Sequence, residues 1–251
     1  MIYDTFPFFN ELDLLECRLT ELYDLVDVFV AVEADVDHQG NPKLYVLSEN
    51  LDRFAPFADK LRVIRATGLP TVEDAPNAWA REQAQREFVK EGLVYAGPDD
   101  TVYHGDVDEI PSRLVVRNLR PRGFWSVMQR GLFWALDWQY PDLWEGTVAA
   151  RVRDIDSFAV MRNSRRLNRL SVNGGWHFSW MGGAEAHIQK AHAFCHPEII
   201  PVLDDALADG HRFLVEGVHT DGKKLIPVEV DDTYPRWVRE GNAPDSWYRP
   251  R

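Results

Sequence analysis

The sequence predicts an α/β fold: a mostly parallel sheet with helices on both faces, joined to a mixed α+β C-terminal half. Two observations predict it. Short, Val-rich apolar runs alternate with stretches of helical periodicity as far as about Gly123. Beyond that point the alternation fades into aromatic, strand-like segments followed by helices. Strands alternating with helices imply parallel pairing through right-handed crossovers.

The elements follow in order. Asn10 to Leu25 reads as a helix, because Leu12, Leu15, Leu19 and Leu22 recur at steps of three and four. Asn10 is its expected N-cap and Asp13 its first-turn carboxylate. "VDVFVAVE" reads as a strand buried on both faces. "QGNPK" is a turn by composition, and "LRVIRA" a second strand. Asn77 to Glu91 reads as a helix, "TVYHG" as a strand and "PSRLVVRNLR" as a helix. In "FWSVMQRGLFWALDW", Arg130 and Gly131 separate two aromatic segments, which predicts a hairpin there. "DSFAVMR" and "GGWHFSW" read as strands, Glu185 to Phe194 and Pro197 to Asp209 as helices. The tail from Asp231, rich in Pro, Trp and charge, is expected to wrap the surface. A single domain spans 1–251, with a first half to residue 122, a second from 123 to 230, and the tail from 231.

Composition narrows the function classes. The chain has 251 residues, 45% hydrophobic and 12% aromatic, enough for a substantial core. A net charge of −12 excludes a general nucleic-acid coat or an anionic membrane surface as partner of the whole molecule. Cys17 and Cys195 have no metal-ligand spacing and read as reduced, buried thiols. The N-terminus lacks a basic region followed by an apolar run, and no apolar stretch approaches the ~20 residues of a membrane span. The expectation is a soluble, cytoplasmic protein.

"YHGDVDEIP" packs three carboxylates into four residues directly after a predicted buried strand. Ligands of open parallel sheets bind beyond the carboxyl ends of strands. Asp106 and Asp108 can there reach one hard cation, magnesium or manganese, which keeps other positions for water and phosphate oxygens. Such a cation offsets the charge that a diphosphate gains as it leaves. Glu33 ends "VAVEAD" at the same edge, where a carboxylate can accept from a base or ribose. In "GGWHFSWMGGAEAHIQKAH" glycines flank Trp176 and His177 and allow close backbone approach. His177 reads as a metal ligand or a phosphate contact, and Glu185 as a first-turn charge or a general base.

Taken together, these blocks resemble glycosyltransferase family 17, the family of the β-1,4-mannosyl-glycoprotein N-acetylglucosaminyltransferase. "DTFPFFNELDLLECRLTELYDLVDVFVAVEAD" looks like its N-terminal signature, "HGDVDEIPS" like its DxD segment, and "GGWHFSWMGGAEAHIQK" like its C-terminal block. The resemblance runs from about Ile2 to His196. It implies a GT-A-like, Rossmann-type fold, a nucleotide-sugar donor, a divalent metal (Mn2+ or Mg2+) and inversion at the anomeric carbon. It puts Asp106 and Asp108 at the metal and diphosphate, makes Glu33 a candidate at the nucleotide and strengthens His177 as a metal ligand; Arg81 and Lys190 are further donor candidates. Glu185 becomes the candidate catalytic base, with Asp137, Asp142 and Glu145 as rivals. Trp138, Trp144, Trp176, Arg165 and Arg166 are the candidate acceptor contacts. The first expectation is a UDP-sugar, UDP-N-acetylglucosamine, and a glycan, lipid-linked or small-molecule acceptor, in a bacterium or a virus-infected cell.

Two other readings use the same residues. Arg151, Arg153, Arg162, Arg165, Arg166 and Arg169 cluster in sequence and would suit phosphates of a modified DNA acceptor. A binding module that has lost catalysis would keep the fold alone.

Overall fold

The opening segment Ile2–Phe8, with no strand assigned above, is the strand β1 on which the first half of the sheet is built. Asp4 and Pro7 interrupt its apolar pattern, yet Tyr3, Phe6 and Phe8 are buried and Asp4 is fully enclosed. The computed structural model describes residues 1–249 apart from 168, 171–172 and 209–210. Helix α1 (Leu12–Leu22) follows, then β2 (Val28–Ala34), β3 (Leu61–Ala66), α2 (Ala78–Glu87) and β4 (Thr101–His104). Next come β5 (Glu109–Pro111), α3 (Arg113–Asn118), β6 (Trp125–Phe133), β7 (Trp138–Arg151) and α4 (Phe158–Asn163). The chain continues through β8 (Gly175–Ser179), α5 (Gly183–Ala193), α6 (Ile200–Ala208) and α7 (Arg212–Glu216). Asp209, the expected end of the α6 segment, lies outside the described residues.

This is a mixed α/β fold. Its strands run in the order β3-β2-β1-β4-β7-β6-β8-β5. The first four are parallel, with β1 aligned from Tyr3 against Val28 to Phe8 against Glu33. From β4 onward β7 and β6 run antiparallel, β8 lies parallel to β6, and β5 closes the row antiparallel to β8. The β4–β7 pairing joins the two expected halves in one sheet.

The sheet separates two apolar layers. Val28, Val30 and Val32 face one layer with Val102, Val148 and Phe158. Phe29 and Ala31, at the alternate positions, face the other with Phe6, Leu15, Leu19 and Leu22. The two-residue period of a strand puts both sets in contact with core. A third cluster, around Trp134, Trp138, Trp180 and Phe213, gathers the C-terminal helices.

Several expectations are corrected. The N-cap position of α1 is Glu11, without a side-chain capping bond, so Asn10 does not cap it. Arg130 and Gly131 do not turn the chain: β6 runs through them with an irregular register, and the reversal comes at residues 134–137. "DSFAVMR" is helix α4, not a strand, because Ser157 caps it by accepting from the Val160 amide. The tail is not a surface wrap. Tyr234, Trp237 and Trp247 enter the core beside α1, since their apolar area outweighs the charges between them.

Candidate active site

A cleft of about 760 Å³ opens beyond the carboxyl ends of β1, β2 and β4. Phe9 and Glu11 line it after β1, Asp37 and His38 after β2, and Asp106 and Asp108 after β4. Strand β8 contributes His177 and Ser179, and α5 contributes Lys190.

A buried arginine fixes the carboxylate turn. Arg18 of α1 grips Asp4 with two hydrogen bonds of 2.7 and 2.6 Å. Its third nitrogen donates to the main-chain carbonyls of Asp106 (2.7 Å), Val107 (3.2 Å) and Glu109 (2.9 Å). The turn therefore hangs from a guanidinium that is itself anchored in β1. Strand direction then decides where the carboxylates point.

Asp106 and Glu109 face inward to two arginines. Asp106 accepts from Arg86 at 2.5 Å and Arg162 at 2.7 Å, and Arg162 reaches both Glu109 oxygens at 2.6 and 2.8 Å. Glu82 pairs with Arg86 at 2.5 Å, and Trp144 donates its indole N–H to Glu109 at 2.7 Å. Burial pushes the Asp106 carboxyl up, but Arg162 and Arg86 outweigh it and hold it well below the usual carboxylate range. Burial and the repulsion of Asp106 push the Glu109 carboxyl up, but the charge and hydrogen bonds of Arg162, with His177 nearby, together hold it low.

Asp108 is different. One oxygen accepts from Lys190 at 3.0 Å. The other, Oδ1, is buried without a hydrogen-bond partner and lies 3.7 Å from His177 Nε2. Burial lowers the His177 pKa, against the opposing pull of Asp108, so the imidazole is neutral at pH 7. Trp144 stacks on His177 with centroids 4.4 Å apart, and Phe133 meets its edge.

The family model for Glycosyltransferase family 17 matches residues 1–213. The chain belongs to glycosyltransferase family 17. It is a glycosyltransferase, and the matched span contains Asp106, Asp108, His177 and Lys190. No curated protein matches the chain.

The metal ligands expected for this glycosyltransferase fit in part. Asp108 Oδ1 and His177 present an unpartnered acceptor and a neutral ring nitrogen side by side, the donor set a hard cation or zinc-like ion takes. Asp106 does not join them, because its two oxygens are engaged by Arg86 and Arg162. No group of three or more His, Cys, Asp or Glu among the described residues can hold a metal. A cation here would draw its other ligands from phosphate and water.

The remaining candidates divide. Lys190, Trp144, Arg165 and Arg166 line the cleft. Glu33 does not: it is fully buried, and its carboxylate caps the turn at 46–49 by accepting from the Leu47 and Ser48 amides, both at 3.0 Å. Arg81 also lies outside the lining, donating to the carbonyls of His38 (2.7 Å) and Ala75 (2.8 Å). Trp138 donates to the Leu214 carbonyl and Trp176 packs in the core beside Phe178, and neither lines the cleft. Glu185 is exposed in the first turn of α5 and outside the lining. Of its rivals, Asp137 pairs with Arg249, Asp142 with Lys223 and Glu145 with Arg166, and none lines the cleft.

The arginine cluster is not one surface. Arg162 is buried, Arg151 pairs with Asp154 at 3.1 Å and Arg153 with Asp99 at 2.5 Å. The Arg169 side chain lies outside the described residues. Among the described residues, Arg162, Arg165 and Arg166 are the members of the cluster that line the cleft.

Arg18, Arg86 and Glu109 escaped the sequence reading as site residues. Arg18 had a visible signal: it interrupts the apolar face of α1 between Leu15 and Leu22. A charge on a buried helical stripe requires a partner. Arg86 and Glu109 carry no such mark.

Proposed function

We propose that this glycosyltransferase takes a nucleotide-diphosphate sugar, UDP-linked as first choice, and inverts it onto an acceptor hydroxyl in the cleft. The observation that carries this reading is Asp108, whose buried, unpartnered oxygen faces His177 on the cleft wall beyond β4. The order β3-β2-β1-β4 supports a GT-A-like, nucleotide-binding reading, because it repeats the arrangement of dinucleotide-binding sheets.

Asp108 and His177 would hold Mn2+ or Mg2+. When bound, such a cation neutralises charge on the departing diphosphate. Lys190 lies beside the same site and supplies a fixed positive charge to the phosphate oxygens. Arg86 pairs with Glu82 and Asp106, Arg162 with Asp106 and Glu109, and Lys190 with Asp108, so most of the charge at the bare site is already paired. A doubly charged cation with a diphosphate enters as a near-neutral pair and leaves that balance intact. Trp144 and Phe133 wall the cleft next to His177 and offer apolar faces to a sugar ring.

A thermal-shift screen of nucleotide-sugars with and without Mn2+ tests this. Ligands stabilise in proportion to the logarithm of concentration over Kd. A UDP-sugar should raise the Tm only with the cation present, and Asp108→Ala should abolish the rise. A shift that is the same without cation, or that survives in the variant, would remove the metal role.

A further inference from the structure

Arg165 lines the cleft and, among the described residues, its guanidinium makes no ion pair. The neighbouring cations are all occupied: Arg86 by Glu82 and Asp106, Arg162 by Asp106 and Glu109, Lys190 by Asp108. Among the described residues, no carboxylate or carbonyl lies within hydrogen-bond distance of the Arg165 guanidinium. Its one close side-chain partner is the Trp144 ring, 5.7 Å away. The residue is half-buried, and its place is fixed. Its own carbonyl accepts from the Ser126 hydroxyl, which ties the turn after α4 to β6.

A desolvated, unpaired charge is unfavourable unless a ligand completes it. We propose that Arg165 binds an oxyanion of the substrate, a phosphate or carboxylate seated against Trp144. The planar fork of a guanidinium matches the two oxygens of such a group. Burial, with Arg162 nearby, lowers the Arg165 pKa, which is the direction that an arriving anion reverses. The oxyanion has two sources, the donor diphosphate or an acidic group on the acceptor. The proposal rests on the cleft being the transfer site.

Binding calorimetry on Arg165→Met and Arg165→Lys tests it with two probes, UDP in Mg2+ and sulfate added to the UDP-saturated protein. If the anion belongs to the acceptor, Arg165→Met weakens sulfate roughly 10- to 100-fold, the range of a charged hydrogen bond. UDP affinity then stays within about twofold, and Arg165→Lys recovers part of the sulfate loss. If the anion is the donor diphosphate, UDP weakens by that factor instead. The proposal is overturned if Arg165→Met holds UDP as wild type does and sulfate binding is either unchanged or absent in both. Failure of the donor reading looks different: wild type then binds no UDP, while sulfate still tests Arg165. Unchanged Tm in the variants separates lost binding from lost folding.

Discussion

Arg18 and Asp106 are 88 residues apart in sequence and meet through a 2.7 Å hydrogen bond from guanidinium to main-chain carbonyl. With the Val107 and Glu109 carbonyls on the same nitrogen, this bond makes the carboxylate turn an extension of α1. The site is thus positioned by the N-terminal core, and Asp4 holds the positioning residue in place.

Arg18→Met should destabilise the protein by about 3–5 kcal/mol, because it leaves Asp4 charged and buried without its partner. Arg18→Met with Asp4→Leu should recover much of that loss, since an apolar pair carries no desolvation penalty. Urea midpoints of the single and double variants give the comparison. Equal midpoints for both would mean that the lost carbonyl bonds, not the orphaned charge, dominate.

Asp108→Asn should retain a wild-type Tm and lose metal-dependent UDP-sugar binding, with kcat/KM down roughly 100-fold or more. Mn2+ titrations followed by calorimetry check the binding half of this. Glu33→Gln is the contrasting case. It weakens a buried cap and should cost about 1–3 kcal/mol of stability while donor affinity is unchanged.

Glu185→Gln should turn over within about twofold of wild type, because the exposed first turn of α5 holds the carboxylate outside the cleft lining. A drop of 100- to 10,000-fold in kcat, the range of base catalysis, would return the role to Glu185.

Stability should decline as pH falls below about 6.5. Burial depresses the pKa of His104 well below that ordinary imidazole value, and those of His38, His187 and His211 below it, His187 to about 3. Arg86 and Arg162 add to the depression at His104. The unfolded chain takes up protons at these sites near pH 6.5 and the native chain does not, so each histidine's contribution is complete above that pH. It erodes below, by up to ~1.4 kcal/mol per pH unit per site. Asp106 and Glu109, held low, add a further loss as pH falls through the ordinary carboxylate range. Urea midpoints at pH 7.5, 6.0 and 5.0 should fall steadily, and a flat series would show that these histidines are not buried neutral.

Two strands were legible from their short, Val-containing apolar stretches: "VDVFVAVE" and "LRVIRA" lie where β2 and β3 form. β1 was not, because Asp4 reads as a solvated charge until Arg18 covers it. Helix α4 was misread because six apolar and charged residues suit either state, and Ser157 decides by capping. At the site, Asp108, His177 and Lys190 come from two blocks recognised in sequence and do meet in space.

By itself the sequence determined the family, the alternation of strands and helices in the first half, and a carboxylate turn at the edge of a strand. Each is a property of local pattern, where period and residue type act over a few positions. Only the tertiary structure decided which carboxylate stays available. Asp106 and Asp108 are chemically identical and two positions apart, yet Arg86 and Arg162 close on the first and leave an oxygen of the second open beside His177. That choice depends on side chains brought together from α2, α4, β8 and α5. Electrostatic pairing falls off with distance in space, and sequence separation carries no record of it.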